Sequence, residues 1–342
     1  MTEKYYPSME KSCNCKPGQL CDYHITKINF ENIIDYIGIS KDETHRGSAN
    51  PPLRVWGKEQ INKIRNEVSG VKNEKEYKNF SIINKITTVL DKTNSFWEEK
   101  ENSDALNGEL HEEWVKWIEE VKEKNKYGAG GWKASPQQLS QFIEVLKVLH
   151  EENIQIEDYL RIGTASGKHT QQEIFAMSVA MPKDGKKPEL SIIDLCEPPL
   201  VESKVLAKNA IKETFLESIL ELPKEMYEKY SVVSSHFTES FLPTKKIFED
   251  SNMKHEDAVN IKENFFKNIF KALKDNGFFI SALAIENSPR RFNNLDELKK
   301  CLKKVGFKEE NIVIVPTTDP YDYDEKNKVL IEGNYFIVAQ KI

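Results

Sequence analysis

Apolar positions along the chain change their period near residue 158. Before that point they recur every three or four residues, the spacing of one helical face. Ile61, Ile64 and Val68 keep that spacing, as do Trp114, Trp117, Ile118 and Val121, within a stretch of helical character from Lys58 to about Lys124. A short helix is expected over residues 30–36, and Asn50-Pro-Pro52 closes the region before it. The glycine-rich run 127–132 breaks the pattern. Ser135-Pro-Gln-Gln138 then opens a helix, with Ser as cap and Pro at the first position. That helix runs to about Glu151 and lines up Leu139, Phe142, Ile143, Leu146 and Leu149.

Beyond residue 158 short apolar runs alternate with helical segments, the pattern of a parallel α/β sheet. Strands are expected at 159–162, 190–195, 231–235, 277–283, 312–315 and 335–340, with a weak one near 214–217. Phe265, Ile269 and Leu273 mark a helix that Gly277 should close from the C′ position. Asn294 caps the next helix, which ends at Gly306. The polar segment 317–333 is too short and unpatterned for a crossover helix, so the last two strands should pair antiparallel. Three regions follow: a tail at 1–50, a helical cap at 51–134, and a Rossmann-like domain at 135–342.

The first strand runs into Gly163-Thr-Ala-Ser-Gly-Lys-His169, and the second ends at Asp194. Glycines let the backbone approach a ligand, the next helix presents free N–H groups, and an acid after the second strand can hold ribose hydroxyls. A phosphate-binding Walker loop is excluded. It requires four residues between its glycines and Ser or Thr after Lys, whereas three residues separate Gly163 from Gly167 and His169 follows Lys168.

A seven-stranded sheet with an antiparallel last strand, together with this turn and acid, resembles the class I S-adenosylmethionine-dependent methyltransferases over roughly residues 135–342. The resemblance implies that Gly163, Thr164, Ala165, Ser166 and Gly167 wrap the methionine end of S-adenosylmethionine, and that Asp194 holds its ribose. Glu197 competes for the same hydroxyls. The segment 234–239 after the fourth strand, with Ser235 and His236, faces methyl group and acceptor. His236 is the candidate general base, and a role in holding the cofactor loop is its alternative. Two departures stand out: Arg161 replaces the usual acid two residues before Gly163, and Ala165 replaces the middle glycine. Glu173 or Glu197 is the candidate replacement charge, and Thr170 or Ser166 a candidate donor to the cofactor carboxylate. Glu217 reads as a solvated acid that would otherwise lie beside the adenine.

Among 342 residues, 30% are charged, and the net charge of −6 argues against a nucleic-acid partner. No apolar run approaches the roughly twenty residues needed to span a bilayer, and the N-terminus lacks a signal-peptide pattern. A cytoplasmic protein without a membrane partner is expected. Cys13, Cys15, Cys21 and His24 form a candidate zinc set, with a reduced, metal-free segment as the alternative. The expected activity is methyl transfer to oxygen or nitrogen of a small molecule. The alternatives are a protein or RNA acceptor, and a binding homologue without catalysis.

Overall fold

The computed structural model describes residues 81–102, 136–154, 156, 158–164, 167–181, 190–194, 200, 201, 203, 204, 210–236, 238, 254–285, 292–317, 323, 324, 329, 330 and 333–342. The periodic segments named at 30–36, 61–68 and 114–121 lie outside these, as do the candidate zinc ligands Cys13, Cys15, Cys21 and His24.

Helix α1 (Ile82–Asn102) precedes α2 (Pro136–Glu151), β1 (Tyr159–Ile162) and α3 (Gly167–Ala180). There follow β2 (Leu190–Asp194), β3 (Ile211–Leu216), β4 (Tyr230–His236), α4 (His255–Ala272) and β5 (Leu273–Ala284). The chain continues through α5 (Leu295–Val305), β6 (Ile312–Pro316), the short strands β7 (Tyr323–Asp324) and β8 (Val329–Leu330), and β9 (Asn334–Gln340). The main sheet has seven strands in the order β3-β2-β1-β4-β5-β9-β6. Strands β1 to β5 run parallel, while β9 is antiparallel to both β5 and β6. This is the Rossmann-like sheet that the methyltransferase resemblance implies. The segment between β6 and β9 holds a two-stranded ribbon, β7–β8, and no described helix.

Both faces of the sheet are covered, which is why its strands read as continuous apolar runs. On one face Tyr159, Ile192, Val232, Ile280 and Val338 pack against α1, α2 and α3. On the other, Leu160, Ile193, Val233, Phe279 and Ile337 pack against Phe265, Phe266 and Ile269 of α4 and Leu298 and Leu302 of α5. Alternate residues of each strand serve opposite cores.

Residues 137–149 of α2 are buried on every side of the helix, because α1 lies over it. Ile83, Ile86, Val89 and Leu90 of α1 enter the same core as the sheet. Polar residues on so buried a helix need partners. Gln141 donates to Asn94 Oδ1 at 2.6 Å and to the Pro316 carbonyl at 2.8 Å, and accepts from Thr317 at 2.7 Å. Helices α1 and α2 are thereby tied to the end of β6.

The corner between α4 and β5 departs from expectation. Gly277 does not close the helix: α4 ends at Ala272, Leu273 is its C-cap, and Asn276 takes the left-handed φ of 63°. Gly277 sits inside β5, where a Cβ would meet the Lys274 carbonyl at 2.8 Å and the Tyr230 carbonyl at 3.1 Å. Helix α5 follows expectation. The Asn294 side chain accepts from Glu297 N–H, and Gly306 at φ 125° ends the helix.

Candidate functional site

Strands β2 and β3 lie to one side of β1, and β4 and β5 to the other. The strand order therefore reverses between β1 and β4, and sheets of this kind bind ligands in the crevice above the carboxyl ends of those strands. Four elements meet there. Gly163 and Thr164 follow β1, Asp194 ends β2, Ser235 and His236 end β4, and α3 begins at Gly167.

Gly163 adopts φ 68°, a conformation that side chains disfavour. Its N–H donates to the Ile193 carbonyl at 2.9 Å, turning the chain toward β2. A Cβ on Gly163 would collide with the Thr238 side chain, whose hydroxyl donates to the Ile162 carbonyl at 3.1 Å. Thr238 thus bridges the crevice from the β4 side. Sequence reasoning named the segment that contains Thr238 but gave this residue no role; only the close approach to Gly163 marks it.

Asp194 stands at the tip of β2, half-buried, at the position the strand pattern gave it. Its Oδ2 accepts from the Thr164 N–H at 2.6 Å and from the Thr164 hydroxyl at 3.0 Å. The acid that would hold a sugar also fixes the turn. Ser235 is fully buried, with its Oγ free of any hydrogen-bond partner, and pairs in register with Ile162 and Ser281. It lies on the sheet face opposite that of His236. His236 is half-buried, its ring edge-on to Phe142 of α2 with centroids 5.7 Å apart. Phe142, one of the aligned apolar positions of α2, is buried and therefore packs beside the end of β4.

Beneath the turn lies a buried charge cluster. Arg161 of β1 pairs with Glu173 of α3, each side chain 3% exposed. The Glu173 Oε1 accepts the Tyr159 hydroxyl and, at 2.6 Å, the Ser234 hydroxyl. Burial lowers the Arg161 pKa to about 10, with Tyr159 and Asp194 acting the other way, so the guanidinium stays charged at neutral pH. Burial likewise pushes the Tyr159 phenol upward. Glu173 consequently does not serve as a substitute charge for a ligand. The Thr170 hydroxyl is also engaged within the protein: it is buried and shares a 2.9 Å hydrogen bond with Ser203.

Glu217, one residue past β3, is half-buried rather than fully solvated, and its N–H meets the Asp194 carbonyl at 3.2 Å. Its carboxyl pKa is raised by burial first, then by Glu221 and Glu225. Ala165, Ser166 and Glu197 lie outside the described residues. Among the described residues no group of His, Cys, Asp and Glu is placed to hold a metal ion. No described helix is long and apolar enough to cross a membrane.

No family model matches the chain, and no curated protein does. Solved structures do resemble it. One is the N-methyltransferase NodS from Bradyrhizobium japonicum WM9, in complex with S-adenosyl-L-homocysteine: 12% identity, TM-score 0.40, covering 75% of this chain and 98% of that one. A second is the citrinin polyketide synthase CMeT domain, with 12% identity, TM-score 0.43, and 91% and 93% of the two chains covered. A third is the [4+2]-cyclase SpnF, with 10% identity, TM-score 0.40, and 60% and 82% covered. Likeness at this level decides neither activity nor acceptor.

Proposed function

We propose that this chain is an S-adenosylmethionine-dependent methyltransferase acting on oxygen or nitrogen of a small molecule. The observation that carries the reading is the meeting of Asp194 with the Gly163–Thr164 turn at the crevice beside β1. The left-handed turn at Gly163 leaves the backbone at the sheet edge, and a carboxylate one strand away stands where such sheets hold a ribose. The residues described fit the adenosyl part of the cofactor. At the amino-acid part they depart from the family pattern, because Arg161 stands in the place of an acid and Glu173 is engaged with it.

S-adenosylmethionine supplies a methyl group on an activated sulfonium, so positioning of the acceptor accounts for much of the acceleration. Asp194 orients the sugar while holding Thr164, and the Gly163 turn seats the ligand against the sheet edge. His236, half-buried against Phe142, accepts the proton of an acceptor hydroxyl or amine; an imidazole titrates near neutral pH and suits that role. The amide network of Asn94, Gln137 and Gln141 at the end of β6 places α1 and α2 as one wall of the acceptor space.

One observation favours a second reading, a homologue that binds adenosyl ligands without turnover: the guanidinium of Arg161 in place of an acid. Calorimetry with S-adenosylhomocysteine, followed by transfer of labelled methyl to pooled small hydroxyl and amine compounds, RNA and protein, separates the two. Binding lost in Asp194→Ala, with label entering a small compound and transfer falling about a hundredfold in His236→Gln, supports the enzyme. Binding without transfer supports the homologue, and absence of binding removes both.

A further inference from the structure

The two flanks of β4 stop at different heights. Its register with β1 ends where Ser235 meets Ile162, whereas its register with β5 continues one residue further, to His236 opposite Ala282. His236 therefore stands at the strand end with a neighbour in register on the β5 side and none in register on the β1 side. Thr238, two residues on, restores a tie to β1 through its side chain: its hydroxyl donates to the Ile162 carbonyl at 3.1 Å. The methyl of the same side chain would lie 2.9 Å from a Cβ on Gly163, so Thr238 fits there only because position 163 is glycine. The ground to which it is tied is firm, since Ile162 is buried and the Gly163 N–H is held by the Ile193 carbonyl at 2.9 Å.

A bond from residue 238 back to β1 narrows the backbone freedom of the chain just beyond His236. We infer that Thr238 is a positioning residue whose hydroxyl, by pinning the exit of β4 to the end of β1, fixes where the His236 imidazole stands. The Phe142 ring, edge-on to the imidazole, bounds it from α2, and Thr238 sets the strand end from which it projects. This deepens the methyltransferase reading, on which the role of His236 as proton acceptor rests. A proton acceptor works only within hydrogen-bond reach of its proton, so drift of the strand end is felt in the rate of transfer before it is felt in cofactor affinity.

Two substitutions in the full-length protein separate the hydroxyl from the packing. Thr238→Val keeps both branches of the side chain beside Gly163 and loses the donor, and Thr238→Ser keeps the donor. Nuclear magnetic resonance of protein labelled at its seven histidines reads the imidazole directly, the His236 signal being the one lost in His236→Gln. That signal should move or split in Thr238→Val and keep its wild-type position in Thr238→Ser. Transfer of labelled methyl to the pooled compounds should fall about tenfold in Thr238→Val and stay within about twofold of wild type in Thr238→Ser, which retains the hydrogen bond. The Kd for S-adenosylhomocysteine should change less than about threefold in either variant. An unmoved His236 signal in Thr238→Val overturns the inference, whatever happens to the rate, and leaves the methyltransferase reading in place. Equal disturbance by the two substitutions overturns it too, because packing beside Gly163 then sets the ring. If the wild-type protein fails to bind S-adenosylhomocysteine or to transfer methyl, the functional reading falls and takes this inference with it, even where the ring signal has moved.

Discussion

The Asp194 carboxylate and the Thr164 backbone N–H meet at 2.6 Å, which ties the tip of β2 to the turn leaving β1. The Thr164 hydroxyl adds a second bond to the same oxygen at 3.0 Å. One carboxylate thus shapes the turn and, in the proposed function, holds the ligand. These two roles can be separated by substitution.

Asp194→Asn keeps an acceptor for Thr164 and removes the charge. It should cost about 1 kcal/mol of stability while weakening S-adenosylhomocysteine about tenfold or more. Denaturant unfolding and calorimetry on the same protein check both numbers. Wild-type affinity in this variant would assign Asp194 to the turn alone.

Gly163→Ala places a methyl group where Thr238 stands and forces an L-residue to φ 68°. A loss of about 1–3 kcal/mol is expected from the backbone alone. Adding Thr238→Ala should return only the part due to collision, because the left-handed backbone remains. Full recovery in the double variant would show that the turn tolerates the residue and that crowding was the whole cost.

Glu173→Ala leaves Arg161 charged and buried without its partner. Such a change costs about 3–5 kcal/mol. Replacing the pair together, Glu173→Gln with Arg161→Met, should restore more than half of that loss, since neither charge then remains buried. Thermal unfolding of the three proteins decides the matter; equal losses for single and double variants would mean that packing, not charge, sets the cost.

Glu217 makes stability depend on pH with a definite sign. Its folded-state pKa lies above the ordinary 4.5, raised by burial and then by Glu221 and Glu225. Its favourable contribution is therefore present below the unfolded value and is lost as pH rises through the folded one. Glu217→Gln should melt higher than wild type at pH 7, and the difference should shrink as pH falls below about 4.5. A difference that stays constant over that range sinks the assignment.

Much of the sheet was legible because buried parallel strands need unbroken apolar runs. Seven runs between Tyr159 and Gln340 became the seven strands of the main sheet, and the antiparallel pairing of β6 with β9 followed from a connecting sequence too short and unpatterned for a crossover helix. Caps at Asn294 and Gly306 were equally local matters, settled by hydrogen bonding and φ within one turn. Gly277 misled because a glycine after a helical pattern has two uses. Here the Tyr230 carbonyl of a neighbouring strand, not a helix end, excludes the side chain.

The sequence alone determined the alternation of strands and helices, the turn at Gly163, and the position of Asp194 at a strand tip, since each depends on periodicity or on residues adjacent in the chain. Tertiary structure alone decided that Glu173 is consumed by Arg161, Tyr159 and Ser234, that Thr170 faces Ser203, and that Thr238 fills the space beside Gly163. Those pairings join side chains far apart in the chain, and the packing of α3 against β1 and β4 brings Glu173 to its three partners. A residue's neighbours across a fold depend on packing, which no spacing along the chain encodes.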